Sequence, residues 1–149
     1  MARPDVDAWE EPLVADMRAH DGHPTSGPLA GHPLMLMTAT GARTGEPRRA
    51  ILTYSRQGGV YVVAGTAGGS PTTPAWVANV RANPDVTIEI GARRFQARAR
   101  VVPEAERAAA WDEHVRQLPW FAPYPEKSGR LIPVIRLTPS EEGPATSGT

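Results

Sequence analysis

The sequence predicts a β-rich α+β domain: an antiparallel barrel or curled sheet of about six strands, with helices packed outside it. Three observations carry this. Short apolar or alternating runs recur through the chain and are separated mainly by Gly-containing turns, which is the pattern of hairpin-linked strands. Only two helical segments are inserted between strands, so the order is not the regular alternation of a parallel doubly wound sheet. The Gly-rich segments lack the spacing of a dinucleotide-binding fingerprint.

Taken in order, Asp7 to His20 places Trp9, Leu13, Val14 and Met17 at helical spacing and predicts a short amphipathic helix. Asp21 to Pro33 is rich in Pro and Gly and reads as a loop. Leu34 to Thr40 is a first strand and Arg49 to Ser55 a second. Gln57-Gly58-Gly59 is a hairpin turn with its second glycine suited to positive φ, and Val60 to Thr66 is a third strand. Thr73 is placed to cap a helix whose first residue is Pro74 and which Asn83-Pro84 ends. Val86 to Ile90 is a fourth strand. In a fifth, Phe95, Ala97, Ala99 and Val101 alternate with Gln96, Arg98 and Arg100, so one face is buried and one is wet. Pro103 opens the longest helix, to about Leu118, with Trp111, Val115 and Leu118 as its apolar stripe. Pro119 to Gly129 reads as an aromatic loop. Leu131 to Thr138 is a last strand, which Pro133 assigns to an edge or a bulge. The organisation is therefore an N-terminal helix and loop over residues 1–33, a barrel domain over 34–139 and a disordered tail over 140–149.

Composition excludes several function classes. The 149 residues carry sixteen acidic and sixteen basic side chains, which argues against a nucleic-acid or anionic-membrane binder. Without cysteine there is no disulfide scaffold, thiolate metal site or cysteine nucleophile. No apolar run approaches the roughly 20 residues that span a bilayer, and no export signal is legible, so a cytoplasmic protein is expected. His20 and His23 lack a third ligand at suitable spacing, so no metal is expected.

The chemistry concentrates in two segments. Gly41 to Arg49 joins the first two strands and carries Arg43, Arg48 and Arg49 on a glycine-bounded turn. Planar guanidinium forks match phosphate or carboxylate geometry, so this is a candidate anion-holding loop. Ala64-Gly65-Thr66-Ala67-Gly68-Gly69 ends a strand with almost no side-chain bulk, which lets a flat ring lie against backbone. Trp76 and Asn79 share a helix face, and the amide of Asn79 wants either a neighbouring backbone group or a ligand. Trp120, Phe121 and Tyr124 read as a packed connector or as a lid over a flat ligand, with the Tyr124 hydroxyl as polar handle.

Three segments make the chain resemble the deazaflavin-dependent nitroreductase family of actinobacteria. They are Thr40 to Arg48 (Thr-Gly-Ala-Arg-Thr-Gly-Glu-Pro-Arg), then Gly68-Gly69 through Pro74-x-Trp76-x-x-Asn79 to Ala82-Asn83-Pro84, and Gly129-Arg130-x-Ile132-Pro133-Val134. The resemblance implies a split β-barrel of the FMN-binding type and the coenzyme F-420, an 8-hydroxy-5-deazaflavin with a phosphate and a glutamate tail. It implies that Arg43 and Arg48 hold the phosphate and tail within a loop that includes Thr44, Gly45 and Pro47. Ala64, Gly65, Thr66, Ala67, Gly68 and Gly69 would line the ring, with Trp76 and Asn79 beside it. It further implies hydride transfer to a small apolar electrophile: a quinone, an activated alkene or a nitroaromatic. Tyr124, with Thr66 second, is the candidate to donate a proton or hydrogen bond to the developing anion. Leu118 and Phe121 stand where the best-known nitroreductase type carries tyrosines. Ala42 stands where many relatives have arginine, and Ala67 where some have lysine. The alternatives are a flavin-mononucleotide enzyme of the same fold and a non-catalytic deazaflavin-binding protein. The chain is expected to be a monomer or a homodimer.

Overall fold

A computed structural model describes residues 11–20, 22–25, 30–66 and 71–140. Its elements are α1 (Glu11–Ala19), β1 (Leu34–Thr40), β2 (Pro47–Thr53), β3 (Ser55–Gln57), β4 (Val60–Ala64), α2 (Ala75–Ala82), β5 (Asp85–Ile90) and β6 (Arg93–Val101). They are followed by α3 (Glu104–Gln117), a 3-10 turn (Pro119–Phe121), α4 (Tyr124–Ser128) and β7 (Val134–Pro139). All seven strands form one antiparallel sheet in the order β2-β1-β5-β6-β7-β4-β3. The two outermost strands, β2 and β3, are consecutive in the chain and separated only by Tyr54. One long strand thus pairs with β1 in its first part and β4 in its second. The sheet curls into a half-barrel, as a split β-barrel requires.

Burial explains which strands read as runs and which as alternation. On β1, Met35, Met37 and Ala39 enter the barrel core, while Leu34 and Leu36 pack against Val14 and Met17 of α1. On β4, Tyr61 and Val63 face the core and Val62 packs under α3 with Val102, Ala110 and Val134. Strands covered on both faces are apolar throughout. β6 is covered on one face only and alternates. α2 closes one end of the barrel by sending Val77 and Val80 into the core, with Trp76 packed alongside.

Several sequence expectations are corrected. The second strand begins at Pro47 rather than Arg49, and the expected single strand to Ser55 breaks at Tyr54, whose amide donates to the Pro33 carbonyl (3.1 Å). The strand starting at Val60 ends at Ala64, not Thr66. In the β3–β4 turn, positive φ falls on Gly58 (67°) rather than on the second glycine. Pro74, not Thr73, occupies the cap position of α2, and no side chain caps that helix. The aromatic loop contains a 3-10 turn and α4. The last strand is central, between β6 and β4, not an edge. Its pairing starts at Val134, so Pro133 needs no amide donor in the ladder, and its carbonyl accepts from Gly65 N (2.9 Å) instead. Trp9 and the rest of residues 7–10 lie outside the described residues, as do 141–149.

Candidate functional site

Because the strands alternate in direction, one end of the barrel collects the C-termini of β1, β4 and β6 and the N-termini of β2, β5 and β7. The Arg-bearing hairpin and the side-chain-poor terminus of β4 therefore leave the sheet at the same end. α2 lies between them. Asn79 reaches the hairpin by accepting from Ala42 N at 2.9 Å, and Asn83 Nδ2 approaches the Thr40 carbonyl at 3.4 Å. Val77, on the other side of the helix, meets Gly65: a Cβ built there would lie 2.8 Å from Val77 Cγ2 and 3.1 Å from Pro133 Cγ.

The hairpin is built from its own backbone. Gly41 N donates to the Glu46 carbonyl (2.8 Å) and Gly45 N to the Gly41 carbonyl (2.9 Å), with Gly45 at φ 73°. Thr44 Oγ1 accepts from Glu46 N (3.2 Å) and from Arg48 Nη2 (3.4 Å), so it steers Arg48. Arg48 also lies 3.8 Å from Glu46, and Pro47 starts the pairing of β2 opposite Thr40. Residues 42–47 are exposed, and Arg48 at the base of the turn is half-buried. Guanidinium groups and backbone amides are thus presented to solvent on a scaffold pinned from behind.

The β4 terminus is built differently. Ala64 and Thr66 are buried. Thr66 N donates to the Ala64 carbonyl (2.9 Å), and Arg130 Nη2 donates to the carbonyls of Gly65 (2.8 Å), Thr66 (3.1 Å) and Thr72 (3.4 Å). The missing side chain of Gly65 makes room for α2 and the approach to β7. Ala67, Gly68 and Gly69 lie outside the described residues.

Ala64 also belongs to an apolar cluster with Leu118, Phe121 and Ile132, against which Tyr124 packs. Tyr124 meets Phe121 edge-on at 5.2 Å. Trp120, partly exposed, stacks on His32 at 4.2 Å, so the loop that follows α1 touches the aromatic segment. The structure thus brings Tyr124 to the Ala64 side of the barrel end and Asn79 to the Arg43–Arg48 side. Trp76 lies half-buried against the core.

Sequence reasoning missed two residues. His114 is fully buried on α3, with Nδ1 2.7 Å from Ser55 Oγ and its ring edge-on to Phe121 at 4.7 Å. Burial lowers its pKa to about 4. Its signal was a histidine one turn from Trp111 and Leu118 on the apolar stripe. Arg130 stood in a recognised motif, but nothing local distinguishes it from a solvated arginine.

A profile described as F420H(2)-dependent quinone reductase matches residues 11–139. An F420H(2)-dependent quinone reductase of Mycobacterium tuberculosis is 35% identical over 147 residues, spanning 90% of this chain and 98% of its own. A solved structure described as an F420-H2 dependent reductase (FDR-A) superposes with a TM-score of 0.64 at 36% identity, covering 70% of this chain and 93% of that one. Another, described as a domain-swapped dimer, gives a TM-score of 0.65 at 31% identity, over 87% and 94% of the two chains. Among the described residues no helix is long and apolar enough to cross a membrane.

Proposed function

We propose that this chain, which belongs to the F420H(2)-dependent quinone reductase family, passes a hydride from reduced coenzyme F-420 to a quinone. Membership makes it an oxidoreductase. The assignment of residues to roles rests on one observation: a pinned, exposed arginine hairpin and a buried, side-chain-poor strand end open at the same end of the barrel. That pairing fits a molecule with an acidic tail and a flat ring.

Arg43 and Arg48 would take the phosphate and carboxylates, with Thr44 orienting Arg48 and Gly45 and Pro47 setting the hairpin shape. The backbone from Ala64 through Gly69 would face the ring, bounded by Trp76 and Asn79. The coenzyme supplies the hydride. The protein's task is to hold the acceptor close, keep water out and stabilise negative charge on the acceptor oxygen. Trp120 and Tyr124, over the buried apolar cluster of Phe121, Leu118 and Ile132, would offer a quinone an apolar contact. Tyr124 offers the hydroxyl that donates to that oxygen, with Thr66 as the second candidate.

Titrating the purified protein with oxidised coenzyme and following quenching of its fluorescence tests this reading directly; absence of quenching removes it. A preparation that carries flavin absorption bands would assign flavin mononucleotide instead. For the proton donor, Tyr124→Phe is expected to slow single-turnover hydride transfer by about tenfold or more at unchanged coenzyme affinity. An unchanged rate excludes Tyr124.

A further inference from the structure

We infer that Arg130 is a positioning residue: its guanidinium clamps the end of β4 to the end of the connection that leads into α2 and fixes the backbone surface against which the coenzyme ring lies. The inference rests on the coenzyme assignment above for the identity of the ring, and on geometry alone for the clamp.

One nitrogen, Nη2, shares its two hydrogens among three carbonyls that come from both sides of the connection: closely with Gly65 and Thr66 at its beginning, and more weakly with Thr72 at its end. Three carbonyl oxygens gathered around one point repel one another, and a permanent cation removes that repulsion while supplying the hydrogen bonds. Charge-assisted bonds are among the stronger polar contacts in a fold, and those to Gly65 and Thr66 are partly shielded from water. The clamp is itself anchored. Gly129, at φ 68°, ends α4 in the left-handed region and turns the chain so that Arg130 follows directly. Ser128 Oγ accepts from Arg130 N (3.3 Å) and donates to the Pro125 carbonyl (3.1 Å). The buried Ser128 hydroxyl therefore holds the arginine backbone, and the arginine holds the β4 terminus.

The consequence is directional. With their carbonyls turned toward Arg130, and with Gly65 N spent on Pro133 and Thr66 N on Ala64, Gly65 and Thr66 have one backbone orientation available. A ring resting on this surface meets a preformed support, and no ordering cost is left to be met on binding. Losing the clamp should weaken recognition of the ring while leaving recognition of the tail, which belongs to the hairpin on the far side of α2.

The experiment compares wild type, Arg130→Ala, Arg130→Lys and Arg43→Ala for binding of two probes: the whole oxidised coenzyme, and the deazaflavin chromophore without phosphate or tail. Arg130→Ala should lose about tenfold or more in affinity for both probes by the same factor, the loss expected when a charged hydrogen-bond donor is removed. Millimolar guanidinium, but not sodium at equal ionic strength, should restore binding. Arg43→Ala should lose affinity for the whole coenzyme only. If the alanine variant does not fold, Arg130→Lys, which keeps the charge on a shorter stem, should show the same loss in smaller degree. Amide hydrogen exchange without any coenzyme reads the clamp on its own: protection at Thr66 and Thr72 should fall in Arg130→Ala with the β1–β2 hairpin unchanged. Equal ring affinity in a folded Arg130 variant and wild type overturns the positioning role. Unchanged exchange at Thr66 and Thr72 overturns the clamp. Failure of wild type to bind either probe instead overturns the coenzyme assignment, and the exchange result then stands apart from it.

Discussion

The β1–β2 hairpin and the β4 terminus sit at one end of the same barrel, yet they are constructed on opposite plans. The hairpin carries long charged side chains at the water interface, on a backbone closed by its own hydrogen bonds and tied to α2 by Asn79. The β4 terminus carries almost no side chains, is buried, and is held by a guanidinium from a distant element. The first plan suits capture of a flexible anion, because arginines at the surface can reach out and adapt. The second suits a rigid ring, for which a fixed surface matters more than reach. If this division is right, damage to one region should leave the other's task intact.

The harshest test removes the hairpin's cations. Arg43→Ala with Arg48→Ala should weaken whole-coenzyme binding on the order of 100-fold, because it deletes two charge-assisted hydrogen-bonding groups that contribute about 1.5 kcal/mol each. Binding of the tail-less chromophore should not change. Because Arg43 is exposed on the turn and Arg48, half-buried at its base, bonds to Thr44 and Pro47 of the same hairpin, the unfolding midpoint should fall only slightly. A parallel loss for the two ligands would show that the hairpin also shapes the ring site, and the contrast drawn above would fail.

Acid attacks the other region. His114 lies beneath the β4 side through its edge-on contact with Phe121, which clusters with Ala64. Its folded pKa of about 4 lies below the ordinary value of 6.5 because burial penalises the imidazolium. Between those values the unfolded chain binds a proton that the folded chain refuses, so stability is full above pH 6.5 and falls as pH drops toward 4. The whole effect is about 3 kcal/mol. Asp16, held down by hydrogen bonds from Thr25, and Glu113, held at about 2 by Arg116 and Gln117, stay ionised down to pH 5. His114 therefore contributes a slope between pH 6.5 and 5, and a variant at this position isolates its share. Urea unfolding at several pH values should show that slope in wild type and a flatter one in His114→Gln. Exchange should rise first around residues 110–124, before the hairpin. A slope unchanged in the variant would remove His114 as its source.

What the sequence disclosed follows the same division. The hairpin was legible because its information is local: glycines, a proline and arginines within nine residues specify a turn and a charge. β1, β5 and β6 were legible because burial on one or two faces writes a run or an alternation directly. The β4 terminus was half legible. Its small residues were visible, but Gly65 is small because Val77 and Pro133 occupy the space. Pro133 pointed to an edge strand because a sequence shows the missing amide and not the register that makes it harmless. His114 and Arg130 were opaque for one reason: the partners that define them, Ser55 and Gly65, lie 59 and 65 residues away. Long-range polar contacts leave no periodic trace.

Asn79, on the helix between the two regions, separates a tether from a ligand contact. Its Oδ1 accepts from Ala42 N, so the hairpin depends on the acceptor oxygen, whereas a ring contact would use the amide nitrogen. Asn79→Ala loses both, and should cost about 1 kcal/mol, or roughly fivefold in whole-coenzyme affinity. Asn79→Asp keeps an acceptor for Ala42 N and replaces the donor by a negative charge. If Asn79 only tethers, the aspartate variant should bind the tail-less chromophore as wild type does. If it also contacts the ring, the same variant should bind that chromophore worse than the alanine variant does, because a carboxylate then faces the ring's own acceptors. Isothermal titration of the two variants with the two ligands decides between them, and with that decides whether α2 merely separates the two regions or belongs to the ring site.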